Sequence, residues 1–409
     1  TGACGRLPAA QMPTAAATAS AAAATTAGVL GGRRSSRRGY RYAAGMTQTA
    51  PAGGGPVVAA TRVTFRVLDP DAALQEVRLY QEVQRPRVGP AFARTADGAF
   101  ELDFPRPAVD RMEYQLQLRY PGAGPLLLPD PANPLRADGP FGEKSVVEFP
   151  GYRPPAWLAG AADPPAPERT TRLAVPSRVL AARVPVALWH SPGGRGRRRG
   201  EPLPLLVVHD GPEYARYAAL LVCLRQATAS GRLPGMRAAL LAPVDRDEHY
   251  SASPAWSRAL VSEVLPALLA IAPTPPGRRY LVGMGASLGA LATLAASRTA
   301  PASFGGLFLQ SGSFFRPDTD RHERGHPRFR RICRFVDELA AGGSADPLPV
   351  AMTCGTVEEN LSGNQLVRDA LAAQGYRVGL AEHRDAHNWV AWRDTLDPFL
   401  VGLLEELWQ

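Results

Sequence analysis

The sequence predicts two folded parts, a small all-β sandwich followed by a larger α/β domain with a mostly parallel sheet. Three observations predict it. Between about 57 and 149, short stretches alternate polar and apolar residues between turn signals, the period-2 habit of half-buried strands. From 170 to 409, short apolar runs alternate with longer helical stretches, and the last six runs are uninterrupted, as in strands covered on both faces. Between these parts, 150–169 is a semi-rigid linker with Pro154-Pro155 and Pro164-Pro165-Ala166-Pro167.

In the first part, strands are expected at Thr61–Leu68, Val77–Val83, Tyr114–Tyr120 and Ser145–Phe149. Turns at Ala96-Asp97-Gly98 and Pro121-Gly122 separate them. This block carries no catalytic cluster. In the second part, strands are expected at Arg172–Val175, Val184–Trp189, Leu203–Val208, Ala238–Val244, Tyr280–Gly283, Gly306–Gln310, Pro349–Cys354 and Arg377–Glu382. Helices are expected at Tyr214–Ala229, Trp256–Ile271, Leu288–Arg298, Phe329–Ala341, Ser362–Gln374 and Trp389–Leu407. The chain has no internal repeat.

Composition removes several function classes. The net charge of +9 suggests nucleic acid, but its distribution does not. Residues 1–56 hold six Arg and no acid, and Arg195, Arg197, Arg198 and Arg199 sit in one Gly-rich run. A nucleic-acid surface spreads its basic residues over a face or along a helix. The Arg195–Arg199 run reads as a solvated loop, or as a local attractant for an anionic substrate. The four cysteines, Cys4, Cys223, Cys333 and Cys354, show neither CxxC nor metal-ligand spacing. They imply no disulfide framework and no metal site, and fit reduced thiols in a cytoplasmic protein. No apolar run reaches 18 residues, so no membrane span is expected. Ala21–Leu30 is apolar, but the basic cluster follows it, the reverse of a secretory signal. Residues 1–56 are read as an Ala/Arg-rich tail without a fold, with Met46 as an alternative start.

Gly285-Ala286-Ser287-Leu288-Gly289 follows a strand run and precedes a helix. That context makes Gly-x-Ser-x-Gly a nucleophile turn, because neighbours without side chains let the backbone bend sharply and lift the hydroxyl above the strand ends. The motif predicts an α/β-hydrolase with Ser287 as nucleophile and the Leu288 N–H as an oxyanion donor. Of seven His, His387 lies between the last strand run and the final helix, where this fold delivers its base. The acid belongs after Pro349–Cys354, where Glu358 is the first choice and Glu359 the second; Asp385 is too close along the chain to orient His387. A second oxyanion donor is expected in the loop His209-Asp210-Gly211-Pro212-Glu213-Tyr214.

The stretch from Leu203 to Trp392 resembles the enterochelin (ferric enterobactin) esterases and the wider esterase D-like hydrolases. The resemblance is carried by Val208-His209-Asp210-Gly211, Asp245 through Tyr250, Gly285 through Gly289, Gln310 through Phe315, Gly355-Thr356-Val357-Glu358 and His387 through Arg393. Asp130-Pro131-Ala132-Asn133-Pro134 and Pro150 through Trp157 are similar to the sandwich domain and linker of the same family, so the resemblance spans about 57–409. It implies a serine esterase that opens the trilactone of a catecholate siderophore in the cytoplasm and frees its iron. By position it implies Ser287, Glu358 and His387 as triad. Gly211, Tyr214, Arg246, Phe314 and Trp389 would then be substrate-binding. The expected partner is a small anionic ferric siderophore. No cofactor, resident metal, nucleic acid or membrane is expected. One departure stands out: Pro212, after the Asp-Gly pair, has no N–H to donate.

The predicted chemistry is acyl transfer to Ser287, with His387 moving the proton and Glu358 holding the imidazole. Three rivals are a feruloyl or acetyl esterase acting on plant polysaccharide, a mycolyl-type acyltransferase, and a non-catalytic descendant marked by Pro212. The first two work outside the cell, and the sequence offers no export signal for either.

Overall fold

The computed structural model describes residues 55–85, 87–159, 168–192, 201–343 and 346–409. Residues 1–54, part of the expected linker and the Arg195–Arg199 run lie outside them.

The α/β part is one eight-stranded sheet: β1 (Thr170–Ser177), β2 (Ala182–His190), β3 (Leu205–His209), β4 (Arg237–Leu241), β5 (Leu281–Ala286), β6 (Gly306–Gln310), β7 (Pro349–Gly355) and β8 (Arg377–His383). Their order is β1-β2-β4-β3-β5-β6-β7-β8. β2 is antiparallel to both β1 and β4, and all other pairs are parallel. After β3 the chain builds first to one side, as β4, and then to the other, as β5. Such a reversal opens a crevice at the carboxyl ends of the strands. This is the α/β-hydrolase fold.

Nine helices are referred to below: α1 (Gly211–Tyr217), α2 (Leu220–Ala229), α3 (Arg246–His249), α4 (Pro254–Ile271), α5 (Leu288–Thr299), α6 (Phe329–Ala340), α7 (Leu361–Ala373), α8 (Trp389–Asp394) and α9 (Val401–Trp408). The period of two in β3 sorts the core. Leu205 and Val207 join α4 to α7 on one face, with Trp256, Leu291, Ile332 and Val367. Leu206 and Val208 join α1, α2, α8 and α9 on the other, with Tyr214, Leu220, Trp392 and Leu404. α6 buries Phe329, Ile332, Cys333, Val336 and Leu339, the three- and four-residue spacing of an amphipathic helix. α4 is long and apolar enough to cross a membrane, with mean hydropathy 1.2, yet Trp256, Leu260, Val264 and Leu268 face the protein core.

The expected helix Tyr214–Ala229 is instead two helices. Ala219 takes a left-handed conformation, φ 48°, and breaks it. The apolar run Arg377–Glu382 was expected to be covered on both faces, but β8 is the sheet edge and half exposed. The strand expected at Ala238–Val244 stops at Leu241, and Val244 is exposed.

The N-terminal part is two facing sheets. One holds Val57–Val58, Arg62–Val67, Phe100–Pro105 and Ala93–Arg94; the other holds Glu76–Gln81, Arg111–Arg119, Lys144–Glu148 and Arg136–Ala137, with Leu126–Leu128 beside Arg111–Arg119. Phe65 and Phe104 of the first meet Met112, Tyr114 and Val147 of the second. Asp130 and Asn133 form a buried polar knot. The Tyr114 hydroxyl donates to Asp130 Oδ2 at 2.6 Å, and Asn133 Nδ2 donates to the Val146 carbonyl at 2.7 Å.

Candidate active site

The loops that follow β3, β5, β6, β7 and β8 meet at the crevice. Ser287, between β5 and α5, has φ 55° and ψ −125°, a backbone state that an L-residue adopts only where its surroundings force it. Close packing explains the flanking glycines. A Cβ on Gly285 would lie 2.4 Å from the Gly289 backbone, and one on Gly289 would press on His209 and Asp210. The Ser287 N–H donates to the Gln310 carbonyl at 2.9 Å, and its carbonyl accepts from the Ser313 N–H at 3.1 Å. Ser287 Oγ lies 3.1 Å from Ser313 Oγ. Leu288 is the first residue of α5, so its N–H belongs to the helix's positive end.

Glu358 and His387 meet across two loops. Glu358 Oε2 is 2.8 Å from His387 Nδ1. Its other oxygen, Oε1, accepts from Ser311 Oγ at 2.7 Å and from the Gly355 N–H at 2.8 Å. Trp392 Nε1 donates to the same Ser311 hydroxyl at 3.0 Å, and the His387 ring stands edge-on to Trp392 with centroids 5.0 Å apart. The carboxylate can only accept, so Nδ1 carries the proton and Nε2 keeps the basic lone pair. Asn360 Nδ2, 3.4 Å from Nδ1, donates instead to the Ser311 carbonyl at 3.1 Å. Burial pushes the Glu358 carboxyl up, but His387 and Ser311 outweigh it and hold the group below the usual carboxylate range. Burial pushes His387 down, and Glu358 outweighs it, leaving the imidazole above the ordinary histidine value.

The second-choice acid, Glu359, and the neighbouring Asp385 point elsewhere. Glu359 pairs with His322 Nε2 at 2.9 Å. Asp385 Oδ1 accepts from the Ala386 N–H at 2.7 Å and from Asn388 Nδ2 at 2.9 Å, closing its own turn. Burial lifts Asp385 to about 7 against the pull of Arg111.

The other predicted residues divide. Arg246 is beside the Ser287 turn, held by Asp210: Nε lies 3.1 Å from both carboxylate oxygens and Nη2 lies 2.8 Å from Oδ2. Trp389 is half-buried, its ring 5.2 Å from Tyr214 and 4.8 Å from Trp392. Tyr214 and Phe314, expected to face substrate, are 0% and 2% exposed, and the Tyr214 hydroxyl is spent on Gln310 Oε1 at 2.7 Å. They pack behind the site. Gly211 is also buried, because a Cβ there would lie 2.3 Å from Leu240 Cα. Pro212 stands in the first turn of α1, where a missing N–H leaves the helix's own bonds intact.

His209 and His249 are buried. His209 Nδ1 bonds Thr293 Oγ1 at 2.8 Å and Nε2 accepts from Trp256 Nε1 at 3.1 Å; burial holds its pKa at about 4, so it is neutral. Sequence reasoning missed Ser311, Ser313 and Trp392 as partners of the site. Ser311 carries a signal only in retrospect, since its φ of 46° marks a forced turn after β6. Cys223, Cys333 and Cys354 are buried free thiols.

Comparison with known proteins agrees with this architecture. Residues 190–403 match the esterase family model described as "Putative esterase". An iron(III) enterobactin esterase from Dickeya dadantii (strain 3937) is 29% identical over 291 residues, 65% of this chain and 63% of the relative. One from Escherichia coli O6:H1 is 26% identical over 324 residues, 75% of this chain and 73% of the relative. The chain therefore matches less than two thirds of the Dickeya protein's length. The enterobactin esterase from Shigella flexneri, solved in the presence of enterobactin, superposes with a TM-score of 0.66 at 23% identity, covering 87% of this chain and 96% of that one. The ferric enterobactin esterase from Salmonella typhimurium gives 0.65 at 22%, covering 85% and 93%. These likenesses fix the fold, and the family match extends over more than half of the chain: this protein belongs to the esterase family.

Proposed function

We propose that the chain is a serine esterase that hydrolyses the ester bonds of a catecholate siderophore. The observation that carries the catalytic reading is the 2.8 Å contact between Glu358 and His387, in the crevice where the Ser287 turn stands. His387 Nε2 takes the Ser287 proton as Oγ attacks an ester carbonyl. Glu358 keeps the proton on Nδ1 and stabilises the charged imidazole. The Leu288 N–H stabilises the tetrahedral oxyanion together with a donor from the loop after β3. His387 then protonates the leaving alcohol, and water releases the acid by the same steps in reverse. Iron enters as part of the substrate.

The siderophore reading is supported by the matches to enterobactin esterases and by the Arg246–Asp210 pair at the crevice. Arg246 uses Nε and Nη2 on Asp210, which leaves Nη1 as the group to meet a catecholate or carbonyl oxygen. Trp389 would pack against an aromatic ring of the same ligand. A cytoplasmic location fits such a substrate.

The deciding assay compares iron-loaded enterobactin, iron-free enterobactin, p-nitrophenyl acetate and methyl ferulate, using wild type and Ser287→Ala. Serine-dependent release of dihydroxybenzoyl-serine supports the proposal. Turnover of the simple esters alone removes the siderophore from it, and absence of any serine-dependent turnover removes the triad.

A further inference from the structure

The N-terminal sandwich reaches into both loops that carry the acid and the base. Val357 immediately precedes Glu358, and Ala386 immediately precedes His387. Both are buried in the sandwich's own hydrophobic cluster, with Met112 and Phe149. Each loop is also pinned through its backbone. The Gln84 N–H donates to the Val357 carbonyl at 2.9 Å, and the Asp110 N–H donates to the Arg384 carbonyl at 2.8 Å. Arg384 Nε adds an ion pair to Asp110 Oδ1 at 2.9 Å.

Behind these contacts lies a chain of buried charge. Lys144, the single lysine of the sequence, donates to Glu82 Oε1 at 2.6 Å and stands 3.6 Å from Glu113 Oε2. Arg111 Nη1 donates to the other oxygen of Glu113 at 2.7 Å, and both side chains are buried. Arg111's charge also attracts Asp385, whose carboxylate closes the turn around Ala386 through Asn388. Asn388 in turn caps α8 by accepting from the Ala391 N–H at 2.9 Å. His387 sits in the middle of that turn. Two loops from different strands have no covalent reason to keep their side chains 2.8 Å apart. Packing the residue before each of them into one rigid body supplies that reason.

We infer that the sandwich is a positioning element of the active site, holding the Glu358 and His387 loops in register through Val357 and Ala386, with Arg111 as the positioning residue behind the His387 turn. This rests on the assignment of Ser287, Glu358 and His387 as the triad. Misplacing a reacting group by about 1 Å costs up to roughly 10²-fold in rate without any loss of substrate contacts. The sandwich therefore acts on kcat.

The test uses the full chain as wild type, Arg111→Met, Arg111→Lys and Ala386→Gly, each checked for folding by near-ultraviolet circular dichroism. Two rates are read: phosphonylation of Ser287 by a fluorophosphonate, and kcat with KM for p-nitrophenyl acetate. Arg111→Met and Ala386→Gly are expected to lower phosphonylation and kcat about tenfold or more, with KM within about twofold, and Arg111→Lys to recover most of the loss. Should Arg111→Met fail to fold, Ala386→Gly decides, since it removes one methyl group. Folded variants that react at the wild-type rate overturn the inference and leave the triad standing. A wild type that is not phosphonylated at Ser287 removes the triad itself, and the inference with it.

Discussion

Glu358 binds His387 with one carboxylate oxygen and the Ser311 hydroxyl with the other, so the acid is fixed from both sides before any substrate arrives. Glu358→Gln keeps the shape but can place an amide N–H against Nδ1. The imidazole must then move its proton to Nε2, the atom that in the proposed mechanism has to be bare to take the serine proton. Loss of the correct tautomer costs on the order of 10³–10⁴ in kcat in triads of this kind. We expect that loss for p-nitrophenyl acetate with KM little changed. Activity within tenfold of wild type would mean that another group orients His387.

The same pair sets the pH behaviour. The proposed mechanism needs neutral His387, and Glu358 raises its pKa above the ordinary histidine value of ~6.5. The acid limb of kcat/KM should therefore fall above pH ~6.5, and Glu358→Gln should move it to lower pH. Stability follows the two signs separately. The raised His387 contributes fully below its unfolded pKa, and that contribution is lost as pH rises through the folded value. The depressed Glu358 contributes above its unfolded pKa of ~4.3, and that is lost as pH falls through its folded value. The Tm gap between wild type and Glu358→Gln should thus be widest at about pH 5–6 and narrow on both sides. A gap that is flat from pH 4 to 9 would contradict this.

How much of this was legible in sequence depends on the kind of signal. Gly285 and Gly289 announce the Ser287 turn because the steric demand is local, and the uninterrupted apolar run Leu205–Val208 announces a strand covered on both faces. Chain order pointed to His387 and to the loop after β7, where it left Glu359 open beside Glu358. Tyr214 and Phe314 could not be placed in this way, because an aromatic beside a catalytic loop reads the same whether its ring faces outward or packs beneath the loop. Only the bond from Tyr214 to Gln310, 96 residues away, decides that. The break at Ala219 was equally hidden, since alanine is the best helix former and gives no warning of a forced φ of 48°. The Arg111–Glu113–Lys144 chain was invisible for a similar reason: alternating polar residues on a strand read as a solvated face, and here a second domain covers them.

Arg246 has two tasks that one substitution cannot separate. Its fork neutralises Asp210, which is 5% exposed, so Arg246→Gln leaves a buried carboxylate without its partner. Breaking a buried pair this way typically costs about 3–5 kcal/mol. We expect Arg246→Gln to unfold at clearly lower temperature and the double variant Asp210→Asn/Arg246→Gln to regain much of the loss. The double variant then reads binding alone. Its KM should rise several-fold for ferric enterobactin and little for p-nitrophenyl acetate. Equal changes for both esters would confine Arg246 to holding Asp210.

Pro212 is the last feature to be tested, because it separates a working site from a damaged one. It stands in the first turn of α1, a position that proline fills without breaking a helical bond, and Gly211 precedes it in the same turn. If the oxyanion loop donates through another residue of that turn, restoring an N–H at 212 adds nothing to the transition state. Pro212→Ala should then change kcat for p-nitrophenyl acetate by less than about threefold, while stability falls slightly as the unfolded chain gains freedom. If Pro212 has removed a donor, the same substitution should raise kcat by roughly 10²-fold or more, the size of effect measured when such a donor is deleted elsewhere. Stopped-flow measurement of the acylation burst, which isolates the step in which the oxyanion first forms, distinguishes the two.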